Sequence, residues 1–254
     1  MKKWHAFLPN WGISLFLILL IVLNLVSSFF ELSILVKTIT LLIVPILFLI
    51  YFFKQKALAN VFFTILIFAF MGIVFSAFDG LELFSKFSES SFLGAYVLLV
   101  FVLIGKLKDI RFEGVVSWYL LFIFLVNAYL MYVMFSSVQD SFKDSVIFTL
   151  TISKGIALLI MGLLAFAIYL SQESEQSILF LTLVCCFVFS DVLNFITTMH
   201  IDFWAFAAFH KILQSIGLLL FVMYVYNYHQ QVKIGVKPNK SNAVASTNQV
   251  TVQS

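Results

Sequence analysis

Apolar runs long enough to cross a bilayer follow one another along almost the whole of this chain. A helix needs about 20 predominantly apolar residues to span the hydrocarbon core. Eight such runs are visible, at 11–30, 32–53, 58–78, 91–105, 115–136, 145–170, 177–199 and 203–227. The fourth is the shortest, and an earlier start near Leu81 would lengthen it. Of the 254 residues 63% are hydrophobic and only 11% charged, against about 25% charged in ordinary soluble domains. That excess cannot be hidden in a water-soluble core. The expected fold is therefore an all-α integral membrane protein, an eight-helix transmembrane bundle over residues 1–230. Residues 231–254 are polar and without periodicity, and are expected to form a disordered cytoplasmic tail.

Basic residues set the orientation, because cytoplasmic loops carry an excess of Lys and Arg. Lys2, Lys3, Lys54, Lys56, Lys106, Lys108, Arg111, Lys233, Lys237 and Lys240 fall on one side, and only Lys86 and Lys143 on the other. Both termini are expected in the cytoplasm, and the expected location is a bacterial inner membrane. The net charge of +3 is explained by this topology and is no signature of nucleic-acid binding. The adjacent Cys185 and Cys186 read as small reduced core residues.

Lys37, Asp79, Lys154, Asp191 and Lys211 fall inside or at the ends of these runs. Ionisable residues within a membrane are costly and by default mark functional sites. In the predicted topology all five lie in the outer half of the bilayer, which favours one shared polar cavity over independent snorkelling. Each has a polar neighbour three or four residues away, on its own helical face. Asp191 has Asn194, Lys211 has Gln214, Lys37 has Thr40, Asp79 has Ser76 and Lys154 has Thr151. The plainer reading is structural: Lys37 and Asp79 reach an interface, and Asp191 with Lys211 pins the last two helices together. Residues 36–52 can also be laid over 153–169, matching Lys37 with Lys154. Such a repeat would make the bundle two parallel four-helix halves.

Several chemistries find no support. No HxxxH or HExxH spacing occurs, so no metal site is expected. There is no Gly-rich phosphate loop and no GxSxG nucleophile elbow.

The segment FVFSDVLNF (187–195) resembles a Ser-Asp block in the penultimate helix of the YhhN-like membrane proteins, the lysoplasmalogenase family. FHKILQS (209–215) is similar to the family's final helix, with His210 where the family has Tyr and Gln214 on its Gln. Lys37-Thr38-Ile39-Thr40 is similar to an early KPxT block. The family's Ser-x-x-Gly-Asp stands here as Ser76-Ala-Phe-Asp79-Gly80, with the last two residues reversed.

The resemblance implies hydrolysis of the vinyl-ether bond of lysoplasmalogens, giving a fatty aldehyde and a glycerophospho-alcohol without metal or organic cofactor. Protonation of a vinyl ether at carbon, then trapping by water, suits two carboxyl groups in unequal environments. Asp79 and Asp191 are the expected catalytic pair. Lys37, Lys154 and Lys211 are expected to hold the phosphate of a membrane lysophospholipid. Thr40, Ser76, Ser190, Asn194, His210 and Gln214 complete the expected substrate site. A small-solute or lipid transporter, and a non-catalytic lipid-binding or sensory protein, are the alternatives.

Overall fold

The computed structural model describes residues 11–30, 32–54, 60–78, 82–107, 114–139, 142, 144–172, 174–198 and 203–235. Eight helices cover nearly all of them. They are α1 (Trp11–Phe29), α2 (Ser33–Lys54), α3 (Asn60–Ser76), α4 (Glu82–Leu107), α5 (Gly114–Val138), α6 (Ser145–Gln172), α7 (Glu175–Thr198) and α8 (Trp204–Gly235). No strand occurs among the described residues. Five helices, α4 to α8, are long and apolar enough to cross a membrane. The shorter apolar stretches 18–29, 34–43 and 61–76 mark α1 to α3. The chain is an all-helical protein with the character of a multi-pass membrane protein.

Two boundaries differ from the sequence reading. Helix α4 begins at Glu82, nine residues before the apolar run. Its early serines do not break it because they bond to backbone carbonyls instead of competing for the helix's own donors. Ser91 Oγ donates to Phe87 O at 2.7 Å, and Ser88 Oγ to Gly72 O of α3 at 2.8 Å. Glu82 in the first turn complements the helix dipole. At the other end of the chain, α8 continues to Gly235, so 231–235 is helical where a tail was expected.

Six helices close into a ring. Neighbours around it are α2, α3, α4, α6, α7 and α8, with α8 returning to α2. Each sends one almost fully buried residue inward: Ile43, Leu66, Leu99, Met161, Leu183 and Val225. Helix α1 packs outside on α2 and α8, and α5 outside on α6. Advancing every helix by four, α1 to α5 through α4 to α8, reproduces each of these contacts except one. The contact of α1 with α8 has no comparable counterpart between α5 and α4 among the described residues. The packing of the described residues is thus approximately two-fold, and segments 36–52 and 153–169 fall on corresponding helices, α2 and α6. The halves diverge at the matched lysines: Lys37 on α2 is exposed and Lys154 on α6 is buried.

Without a hydrophobic force between helices in lipid, close packing at small residues carries much of the association. A Cβ on Gly217 of α8 would stand 2.8 Å from the Phe187 ring of α7. Phe187 is itself buried and packs on Tyr96, so it has little room to yield. Gly217→Val should therefore destabilise the protein by about 1–3 kcal/mol through overpacking. Thermal unfolding in detergent would show it, and Gly105→Ala is the control, because nothing lies within 4 Å of that position.

Candidate functional site

The site is built from α4, α6, α7 and α8. Its centre is Lys154, 5% exposed in a span that is otherwise almost wholly apolar. The ammonium forms ion pairs with Glu89 Oε2 at 2.7 Å and with Asp191 Oδ1 at 3.3 Å. Because both oxygens touch one Nζ, they lie within about 6 Å of each other. Tyr96, buried two turns beyond Glu89 on α4, flanks the Asp191 carboxylate. A single lysine can neutralise only one of two carboxylates, so the two carboxyl groups on it compete for one countercharge.

Depth along the helices brings these groups to one level. Glu89 is seven residues after the start of α4, Lys154 nine after the start of α6, and Asp191 seven before the end of α7. At 1.5 Å per residue all three sit about 10–14 Å below the same end of the bundle. This is the end bearing the α3–α4, α5–α6 and α7–α8 connections.

His210 of α8 joins the cluster through Ser190, the residue before Asp191. His210 Nδ1 lies 2.8 Å from the Ser190 carbonyl and 2.9 Å from Ser190 Oγ. A carbonyl only accepts, so Nδ1 carries the proton and Nε2 is the acceptor in the neutral ring. Ser190 Oγ in turn donates to the His210 carbonyl at 3.0 Å. These reciprocal bonds lock α7 to α8 and fix the imidazole tautomer.

A cavity of about 590 Å³ opens on this cluster. Glu89, Lys154, Asp191, Asn194, His210 and Gln214 give it a polar end, and Ser76 of α3 also reaches it. Leu130, Met131, Met134 and Phe135 of α5 give it an apolar wall, faced by Leu158 and Leu159 of α6. The volume is typical of a small-molecule pocket.

The expected site residues divide three ways. Lys154, Asp191, Asn194, His210, Gln214 and Ser76 line the cavity, and Ser190 supports it from behind. Lys37, Thr40 and Lys211 are not among its lining residues. Thr40 serves helix packing instead: it accepts from Asn24 Nδ2 of α1 at 2.9 Å and donates to Val36 O. Asp79 lies outside the described residues. The ion pair of Asp191 is made with Lys154, whereas the sequence reading pairs it with Lys211. Lys154 is in turn bridged by two carboxylates, which disfavours it as an anchor for phosphate. Cys185, expected in the core, is exposed.

Glu89 is the residue the sequence reading missed. A 15-residue apolar run at 91–105 is too short to span, so its missing turns had to come from 81–90. Extending the helix places Ser85, Ser88, Glu89 and Phe92 along one stripe at helical spacing, and all four line the cavity.

At the same end of the bundle, Lys86 of α4 bridges Asp144 of the α5–α6 connection at 2.6 Å. The hydrogen bond from Lys86, and one from the Val146 N–H at 2.8 Å, hold the Asp144 carboxyl below its ordinary range. A lowered native value means the contact is intact at neutral pH and is lost as pH falls through that value. Asp144→Asn should mimic the acid state at pH 7. Labelling of Lys86 by an amine reagent at one fixed pH near neutral, read by mass spectrometry, should rise in the variant relative to wild type.

Fold and site together define a helical multi-pass membrane protein with two half-buried carboxyl groups on one buried lysine, facing an amphipathic cavity. No protein-family model, no curated protein and no solved structure matches this chain.

Proposed function

We propose that the cavity performs acid–base hydrolysis of a membrane lipid, with Glu89 and Asp191 as the working pair and the vinyl ether of a lysoplasmalogen as its substrate. The observation that carries this reading is the pair of carboxyl groups held within about 6 Å on one lysine at the wall of a lipid-sized cavity. In glycosidases, carboxyl pairs about 5–5.5 Å apart act through a covalent intermediate and pairs about 6.5–9.5 Å apart through an activated water, both by oxocarbenium-like transition states. Vinyl-ether cleavage passes through the same kind of cation.

In this mechanism Asp191 gives its proton to the β-carbon of the vinyl ether, and the electron pair of the C=C bond forms the new C–H bond. Lys154 holds Glu89, its closer partner, as the carboxylate that faces the resulting cation. Glu89 takes a proton from the water that attacks the α-carbon, which gives a hemiacetal. Collapse of the hemiacetal breaks the carbon–oxygen bond to glycerol. The leaving oxygen takes the proton from Glu89, and the hemiacetal hydroxyl returns one to Asp191. His210 Nε2 offers an acceptor for the attacking water or for a substrate hydroxyl. In the same reading all eight helices span an inner membrane, with both termini cytoplasmic.

The test is purified protein given lysoplasmalogen or an ester lysophospholipid of the same chain length. Fatty aldehyde from the first and no fatty acid from the second supports the proposal. Attack on the ester alone, or on neither, removes it. Within this mechanism Ser190→Ala should be mild, because the carbonyl that fixes the His210 tautomer remains. A loss of about fivefold or less in turnover corresponds to one net hydrogen bond of about 1 kcal/mol. His210→Phe should lose about 10²–10⁴-fold, as for a group that handles protons. The two-fold organisation of the ring favours a second reading as a transporter. Substrate flux in proteoliposomes without product would select it.

A further inference from the structure

The two halves of the bundle differ in one contact, and the cavity lies where that contact is missing. Helix α1 is seated on both α2 and α8, and the buried Asn24 ties it to Thr40. Its counterpart α5 packs along α6, and among the described residues no comparable packing joins it to α4. The cavity fills this seam, with Ser88, Glu89 and Phe92 of α4 on one side and Leu130, Met131 and Met134 of α5 on the other. The seam is not sealed: Leu130 lines the cavity and is still 58% exposed. Asn127 on the same α5 face donates to its own helix, to Ile123 O at 2.8 Å, and so does not fasten α5 across the gap. The outward faces of α5 carry Trp118, Phe122, Tyr129 and Tyr132, all strongly exposed, as on a helix surrounded by lipid.

We infer that the seam between α4 and α5 is a lateral entrance through which a single-chain lipid passes from the bilayer into the cavity. Its polar end meets Glu89 and Asp191, and its chain lies along the α5 methionines. The occupant follows from the lining. The ionic groups and an α5 wall that is apolar apart from Asn127 accept an amphiphile, whereas a water-soluble ion or sugar would leave Leu130, Met131, Met134 and Phe135 without contacts. Methionine suits such a wall, since its flexible side chain adapts to a mobile chain. One tail fits better than two, because the cavity volume is that of a pocket for one small molecule. This inference adds the route and the class of lipid to the hydrolase proposal, but it concerns binding and can stand or fall apart from turnover.

The test uses the full chain in phosphatidylcholine liposomes containing a lysophosphatidylcholine with a diazirine near the end of its chain. After illumination, adducts are mapped by mass spectrometry. The inference predicts adducts concentrated on Leu130, Met131, Met134 and Phe92. Unlabelled lysophosphatidylcholine at about ten times its Kd should suppress them about tenfold, and added diacyl lipid should not. Leu130→Trp or Met134→Trp, which narrow the seam, should reduce them while labelling of α1 is unchanged. Adducts spread alike over α1 and α5, or insensitive to the single-chain competitor, would overturn it. Competed adducts, together with no aldehyde when the same protein is given lysoplasmalogen, would retain the entrance and remove the hydrolase. Aldehyde without adducts in the seam would do the reverse.

Discussion

Replacing Lys154 by methionine should destabilise the protein by about 3–5 kcal/mol, the largest effect of any single substitution outside the packing core. The methionine fills a similar volume, so the loss is electrostatic. Lys154 is the ion-pair partner of both Glu89 and Asp191, and removing it leaves two half-buried carboxyl groups about 6 Å apart with no cation between them. Breaking a buried ionic group costs far more than the intact group contributes, because the desolvation penalty of the remaining charge is no longer offset. A second variant separates this cause from a packing defect. Glu89→Gln, Lys154→Met and Asp191→Asn combined carries no charge in the cluster, and should recover most of the stability lost in the single variant. Thermal unfolding of the three proteins in one detergent measures it. A Lys154→Met chain as stable as wild type would mean that the carboxylates are solvated or paired elsewhere.

Glu89→Gln and Asp191→Asn should each lower lysoplasmalogen turnover by about 10²–10⁴-fold, the contribution typical of a positioned general acid or base. Each keeps the shape of the side chain and removes its ability to exchange a proton. Each also leaves Lys154 one carboxyl partner, so each should be less destabilised than Lys154→Met. The ratio of the two effects carries information. If the pair acts as a unit, the double variant should be scarcely slower than either single one, because interacting catalytic groups are strongly non-additive. Asp79→Asn belongs in the same series. It is the carboxylate that the sequence resemblance favours, and the mechanism built on Glu89 predicts only a small effect there.

Much of this was legible without coordinates. Long apolar runs announce helices in a membrane because lipid leaves the backbone no other way to satisfy its polar groups. Asp191 and Lys154 stood out because a charge within such a run is rare, and their depths could be counted from the helix ends. The faint likeness of the segments holding Lys37 and Lys154 anticipated two helices in matching places of the ring. Glu89 was harder to see. It sits in SKFSESS (85–91), a stretch polar enough to resemble a loop, and nothing in the sequence states that Ser88 bonds to a carbonyl of the neighbouring helix. Partner choice was also hidden. Adjacent helices joined by a short turn made Lys211 the natural companion of Asp191, but α6 presents Lys154 to it instead. Helical spacing reports which residues share a face of one helix, and which helices share a wall is decided by the whole bundle.

The most direct test of the central claim is fatty-aldehyde release from lysoplasmalogen by purified wild type and Glu89→Gln protein, assayed side by side with folding verified for both. The account predicts aldehyde from wild type and a loss of about 10²–10⁴-fold in the variant. Equal release by the two proteins, or none from wild type, would contradict it.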